Sequence, residues 1–128
     1  MSYEDPFFVV KEEIEQNVYT ARTLFESWNR IYNTVSSINN EELQRTEEEL
    51  RSTLNDVSTD LDDVEETINI LTCHIVESNP DKFGLTTQDI ESRREFVNQT
   101  RQQLHDIRLT LADPPKKSKH SEVENVRA

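Results

Sequence analysis

ELRSTLNDVSTDLDDVEETINIL, residues 49–71, is the stretch that decides the fold. Leu50, Leu54, Val57, Leu61, Val64, Ile68 and Leu71 follow one another at steps of four, three, four, three, four and three. Alternating three- and four-residue steps keep apolar side chains on one seam of an α-helix and on no face of a strand. The seam extends back to Leu43 and forward to Ile75, so it holds for more than three heptads. The spacing predicts a helix over about 40–76. The acidic side chains around it make it amphipathic, so the seam must be covered by other helices.

Two flanking segments supply the cover. From about residue 5 to 35 the apolar positions include Phe7, Val10, Ile14, Val18, Ala21, Leu24, Phe25, Trp28, Ile31, Tyr32 and Val35, again mostly three or four apart. Asp5 suits the cap, and Pro6 suits the first helical position, where its missing N–H costs nothing. From about 86 to 112, Ile90, Val97, Leu104 and Leu111 recur every seven residues, with Thr100 and Ile107 filling part of the alternate positions. Thr86 and Asp89 have the spacing of a capping box. Polar residues 36–40 break the first two helices apart. Asn79-Pro80 and Gly84 break the second from the third. Short breaks make neighbours antiparallel, so the expected fold is all-α, an elongated up-down-up three-helix bundle over 1–112. Residues 113–128 open on Asp113-Pro114-Pro115, lack periodicity and read as a disordered linker or tail.

Composition narrows the function classes. The 128 residues include one Gly and one Cys, and the formal net charge is −12. A single Gly argues against an all-β fold and against a glycine-rich phosphate loop. A lone Cys73 excludes an internal disulfide framework and points to a reducing compartment. No run nears the roughly 18 apolar residues needed to cross a bilayer. An acidic surface repels phosphates, so no nucleic-acid partner is expected.

No constellation supports catalysis, a cofactor or a metal. Cys73-His74 lacks the further ligands a zinc site needs. Adjacent helical residues also point about 100° apart, which prevents a Cys–His nucleophile pair. Cys73 falls on the outer face of the seam register. Asn98-Gln99-Thr100 matches a glycosylation sequon but lies mid-helix with Thr100 near the seam.

Binding is the remaining class. Residues 41–66 carry eleven acidic and two basic side chains. Glu48, Glu49, Asp56, Asp62, Asp63 and Glu66 take outer positions, which suits a solvated face or, for Asp62, Asp63 and Glu66, a surface for a basic partner. Arg94, Arg101 and Arg108 lie seven apart on one flank of the third helix. They suit pairing with acids of the second helix or a partner-docking row. Trp28 and Phe25 read as core anchors. Phe7-Phe8-Val9-Val10 cannot all face one seam. Phe7 and Val10 can reach the bundle, while Phe8 falls on a flank and Val9 further out. Phe8 and Val9 are therefore candidate partner contacts. Direct membrane insertion is not expected, because Glu4, Asp5, Glu12 and Glu13 oppose an anionic leaflet.

Glu4-Asp5-Pro6-Phe7-Phe8-Val9-Val10-Lys11 resembles the start of the syntaxin-6 family. Leu24-Phe25 with Trp28, Asp60-Leu61-Asp62-Asp63, Asn79-Pro80-Asp81-Lys82-Phe83 and Arg93-Arg94 continue the resemblance, which spans 1 to about 110. It implies the N-terminal three-helix domain of a target-membrane SNARE of the trans-Golgi network and endosomes. A tethering-complex subunit and SNARE proteins are the implied partners, and retrograde traffic from endosomes the implied role. The domain is expected to be monomeric and, alone, cytosolic. The rival reading is a structural coiled coil that self-associates through its heptad seams. Relative to the family pattern, Leu71–Ile75 is an insertion of about 1.4 helical turns, and its Leu71 and Ile75 keep the seam. The SNARE helix and membrane anchor that follow in family members do not occur within 113–128, so this chain is not expected to drive fusion by itself.

Overall fold

The computed structural model describes residues 6–35, 40–77 and 86–115, without the side chains of 74–77. Three helices account for nearly all of them: α1 (Pro6–Thr34), α2 (Glu41–Glu77) and α3 (Thr87–Ala112). Their boundaries fall within one residue of the spacing-based expectation. No strand occurs among the described residues. The Asp5 cap, the Pro80–Gly84 break and the tail from Lys116 onward lie outside the described residues.

Local chemistry fixes the helix starts. The side chain of Thr86 accepts from the Asp89 amide at 3.0 Å, and the Asp89 carboxylate accepts from the Thr86 amide at 2.9 Å. This is the capping box that the sequence suggested. The bond from the Thr86 amide, helped by the Thr86 side chain, stabilises the ionised Asp89 carboxylate and holds it below its ordinary value. At α2 the Leu43 amide donates to Asn40 Oδ1 at 3.0 Å, making Asn40 a cap that the spacing argument had placed only within a polar break.

Contacts along the helices establish the topology. Trp28 near the end of α1 meets Glu47 near the start of α2. Phe7 and Val10 at the start of α1 share a cavity with Val64 and Ile68 late in α2. Hence α1 and α2 run antiparallel. Arg94, Arg101 and Arg108 successively reach Asn69, Asp62 and Asn55, so α2 and α3 also run antiparallel. α1 and α3 are parallel, with Phe7 beside Phe96 at one end and Tyr32 beside Pro115 at the other.

The seam of α2 forms the spine of the core. Leu50, Leu54, Val57 and Leu61 have no exposed surface, and Leu43, Val64 and Ile68 are buried. Burying one such side chain stabilises the fold by about 1.5–3 kcal/mol. α1 contributes Ile14, Ala21, Trp28, Ile31 and Tyr32, and α3 contributes Ile90, Val97, Leu104, Ile107 and Leu111. Leu71 packs partly buried against this core, and α2 continues unbroken to Glu77, so the inserted turn lengthens the helix. The seams are covered by helices of the same chain, and pairing between chains is not needed to bury them.

One sequence expectation needs correction, and one core position lies outside the expectations. Phe25, read as a core anchor alongside Trp28, is only partly buried. It sits at the edge of a broad stripe and stacks on Trp28 at 6.3 Å between ring centroids. Arg93, which drew no attention as a core residue, is buried at 6% exposure. Ile90, Arg93, Val97, Thr100, Leu104, Ile107 and Leu111 follow steps of three, four, three, four, three and four. Arg93 thus occupies the seam position that the apolar pattern left empty.

Candidate functional site

The two ends of the bundle treat their aromatic residues differently. At the end formed by the α1 C-terminus, Trp28 and Tyr32 stack at 4.9 Å with an 8° interplanar angle. Both polar tips are satisfied. Trp28 Nε1 donates to Glu47 at 3.2 Å, and the Tyr32 hydroxyl donates to the Pro115 carbonyl at 2.7 Å.

At the end formed by the α1 N-terminus, Phe7 meets Phe96 edge-on at 6.1 Å and Phe8 edge-on at 5.3 Å. The Arg93 guanidinium lies 4.4 Å from the Phe7 ring centre and 5.5 Å from that of Phe8. Lys11 Nζ lies 5.4 Å from the Phe96 ring centre. Cations over ring faces are attracted by the ring quadrupole, more strongly when desolvated, as Arg93 is. This cluster fixes the first turns of α1 against α3. It leaves Phe8 56% and Val9 49% exposed, as their places outside the stripe implied. A groove of about 390 Å³ runs beside Phe8, lined also by Lys11, Glu15, Arg93 and Phe96.

On the opposite side of α1, a smaller open cavity of about 160 Å³ lies between α1 and α2. It is lined by Phe7, Val10, Val64 and Ile68, by the acids Glu13, Asp60 and Asp63, and by Arg93 of α3. Burial, followed by the charges of Glu13, Asp63 and Asp56, pushes the Asp60 carboxyl above its ordinary value.

The remaining candidate residues separate into two groups. Asp63 and Glu66 are exposed on α2. Asp62 is engaged, because Arg101 Nη2 donates to its Oδ1 and to Glu65 Oε2, each at 2.8 Å. These bonds, that to Asp62 foremost, hold the Arg101 guanidinium above its ordinary value. Arg94 donates to Asn69 and Thr72, and Arg108 donates to Asn55. The arginine row therefore zips α3 to α2, but among the described residues only its central member pairs with acids, so Arg94 and Arg108 depart from the acid-pairing reading. Thr100 of the sequon is buried and donates to the Phe96 carbonyl at 2.8 Å. Cys73 is exposed, on the outer face as expected. Among the described residues no group of His, Cys, Asp or Glu is placed to hold a metal ion, and no helix is long and apolar enough to cross a membrane.

A family model for the N-terminal domain of Syntaxin 6/10/61 matches residues 5–108, nearly the whole bundle. The chain belongs to this family. Human Syntaxin-10 is 40% identical over 114 residues, covering 89% of this chain and 44% of that protein. Human Syntaxin-6 is 42% identical over 108 residues, covering 84% of this chain and 40% of that protein. Gallus gallus Syntaxin-6 is 41% identical over 113 residues, covering 88% and 42% respectively. The chain thus spans less than half the length of the curated relatives it matches. Syntaxins are SNARE proteins and not enzymes.

Proposed function

We propose that this chain is the docking and regulatory domain of a syntaxin-6-like SNARE in vesicle traffic between endosomes and the trans-Golgi network. It acts by binding a tethering-complex subunit or a SNARE-regulating protein, at the cytosolic face of those membranes. The observation that carries the reading is the end of the bundle at the α1 N-terminus. There Phe8 and Val9 stay exposed on a helical turn held by Arg93, Phe7 and Phe96. A pre-ordered aromatic loses little conformational entropy on binding and makes an efficient interface anchor. Asp63 and Glu66 on α2, with Asp62 tied to Arg101, form a secondary contact for a basic partner surface. Arg94, Arg101 and Arg108 contribute by holding α2 and α3 in register.

Calorimetric titration with a trans-Golgi tethering subunit tests the reading. Phe8→Ala should weaken binding by more than about 1 kcal/mol. Unchanged affinity would move the docking site away from Phe8.

A further inference from the structure

The end of α3 is fastened to the end of α1 by residues that lie outside both helices. The Asp113 amide closes the last turn of α3 by donating to the Leu109 carbonyl at 3.0 Å. Asp113 itself leaves helical geometry, with φ −138° and ψ 75°. It precedes Pro114, whose ring disfavours helix at the residue before it, so α3 stops here. Pro114 and Pro115 each have φ fixed at about −65°, which stiffens the segment. Neither carries an N–H, so only their carbonyls can tie the segment down through the backbone. The Pro115 carbonyl accepts from the Tyr32 hydroxyl at 2.7 Å, across 83 residues of sequence.

Tyr32 is held in place for that bond. It stands in the last turn of α1 and is 7% exposed. Its ring lies nearly flat on that of Trp28. Trp28 is buried in turn and donates from Nε1 to Glu47 of α2. A pinned ring aims its hydroxyl in one direction, and a hydrogen bond shielded from water is stronger than an exposed one. Packing and stacking need only the ring, and the hydroxyl adds the tie to Pro115.

We propose that Asp113-Pro114-Pro115 is a strap latched by the Tyr32 hydroxyl, which fixes the direction in which the chain leaves the bundle. The strap turns the backbone off the α3 axis and brings it to the last turn of α1. Because α1 and α3 are parallel, the latch lies at the end away from Phe8. The 29 residues of α1 put about 40 Å between the two ends. The outgoing chain is thus held at one end of a stiff body whose aromatic edge is presented at the other. This inference goes beyond the docking reading and stands without it, since the latch needs no partner.

Nuclear magnetic resonance of the chain labelled with 13C and 15N tests the latch. In the wild type, the Tyr32 ring protons should show contacts to Pro115, and 13C relaxation at Pro114 and Pro115 should match that of α3. Tyr32→Phe keeps the ring and removes the hydroxyl. Its Trp28 emission should stay at the wild-type wavelength, which reports an intact stack. Its ring contacts to Pro115 should weaken severalfold, the Pro115 carbonyl resonance should move, and both prolines should relax as a mobile segment. Pro114→Gly combined with Pro115→Gly keeps the carbonyl and the hydroxyl but removes the stiffness, and should also loosen the strap. Mobile-chain relaxation at Pro114 and Pro115 in the wild type would overturn the proposal. So would wild-type dynamics at 113–115 in Tyr32→Phe, even with a lowered melting temperature, because Tyr32 would then be a packing residue only. Unchanged dynamics in the double glycine variant would overturn the part assigned to proline stiffness.

Discussion

The two ends of the bundle are built from similar residues and use them oppositely. Where α1 ends, Trp28 and Tyr32 are buried, stacked and hydrogen-bonded at their polar tips. Where α1 begins, Phe7 is partly buried, Phe8 and Val9 face solvent, and an arginine stands at a seam position. The first arrangement serves stability. The second accepts a desolvated cation in order to hold aromatic surface at the edge of the fold. The contrast shows that an exposed aromatic gains meaning from the group that fixes it.

Core substitutions should have the largest effect. Trp28→Ala should cost about 3–5 kcal/mol and Leu61→Ala about 2–5 kcal/mol, measured by denaturant titration. A loss under about 1 kcal/mol at Leu61, which has no exposed surface, would contradict the seam.

Arg93 sharpens the comparison further. Arg93→Ala removes the guanidinium from two rings and should destabilise by about 1–3 kcal/mol. Arg93→Leu restores an apolar seam and should melt near or above the wild type, since apolar replacements of buried charges are often neutral or stabilising. It should nonetheless weaken partner binding, because Phe8 loses the cation that positions it. A leucine variant with full affinity would make Arg93 a packing residue only.

Phe8→Ala should change stability by clearly less than Phe25→Ala, since Phe8 is more than half exposed and Phe25 packs partly against the core. Thermal melts of the pair check this. Equal losses would place Phe8 in the fold's core and remove the distinction between the two ends.

The smallest effect concerns Asp60. Its carboxyl lies above the ordinary value in the folded chain, so the fold binds this proton more tightly than the unfolded chain does. Its contribution is therefore most favourable below the unfolded value and is lost as pH rises through the folded one. Asp60→Asn should raise the melting temperature slightly at neutral pH and remove the advantage over the wild type as pH falls. A drop at neutral pH would show that Asp60 has a stabilising partner. Asp89 has the opposite sign. Its carboxyl is held down by the Thr86 cap, so that contribution is present above the ordinary carboxylate value and lost on acidification.

Much of this was legible in the sequence. Three-, four- and seven-residue spacings located all three seams, and Thr86 with Asp89 marked the start of α3 because a capping box is a local feature. Phe8 and Val9 were legible as misfits, since four consecutive apolar residues cannot share one helical face. Arg93 was not legible by residue type, although its three-four spacing between Ile90 and Val97 held the signal. The partners of Arg94 and Arg108 were hidden because they depend on the axial register between helices. A heptad fixes which face of α2 meets α3, but not whether Asn55 or Asp56 lies opposite a given arginine. The cavity between α1 and α2 was hidden for the same reason, as Glu13 and Asp60 come together only through the antiparallel packing.

Amide hydrogen exchange of the chain, alone and bound to a trans-Golgi tethering subunit, tests the central claim most directly. Partner-dependent protection should appear at the end where α1 begins, over residues 6–13, 60–68 and 89–96. The Trp28–Tyr32 end should exchange alike in both states. Protection confined to the Trp28–Tyr32 end, or to the outer face of α2 around Glu48 and Asp56, would contradict the account.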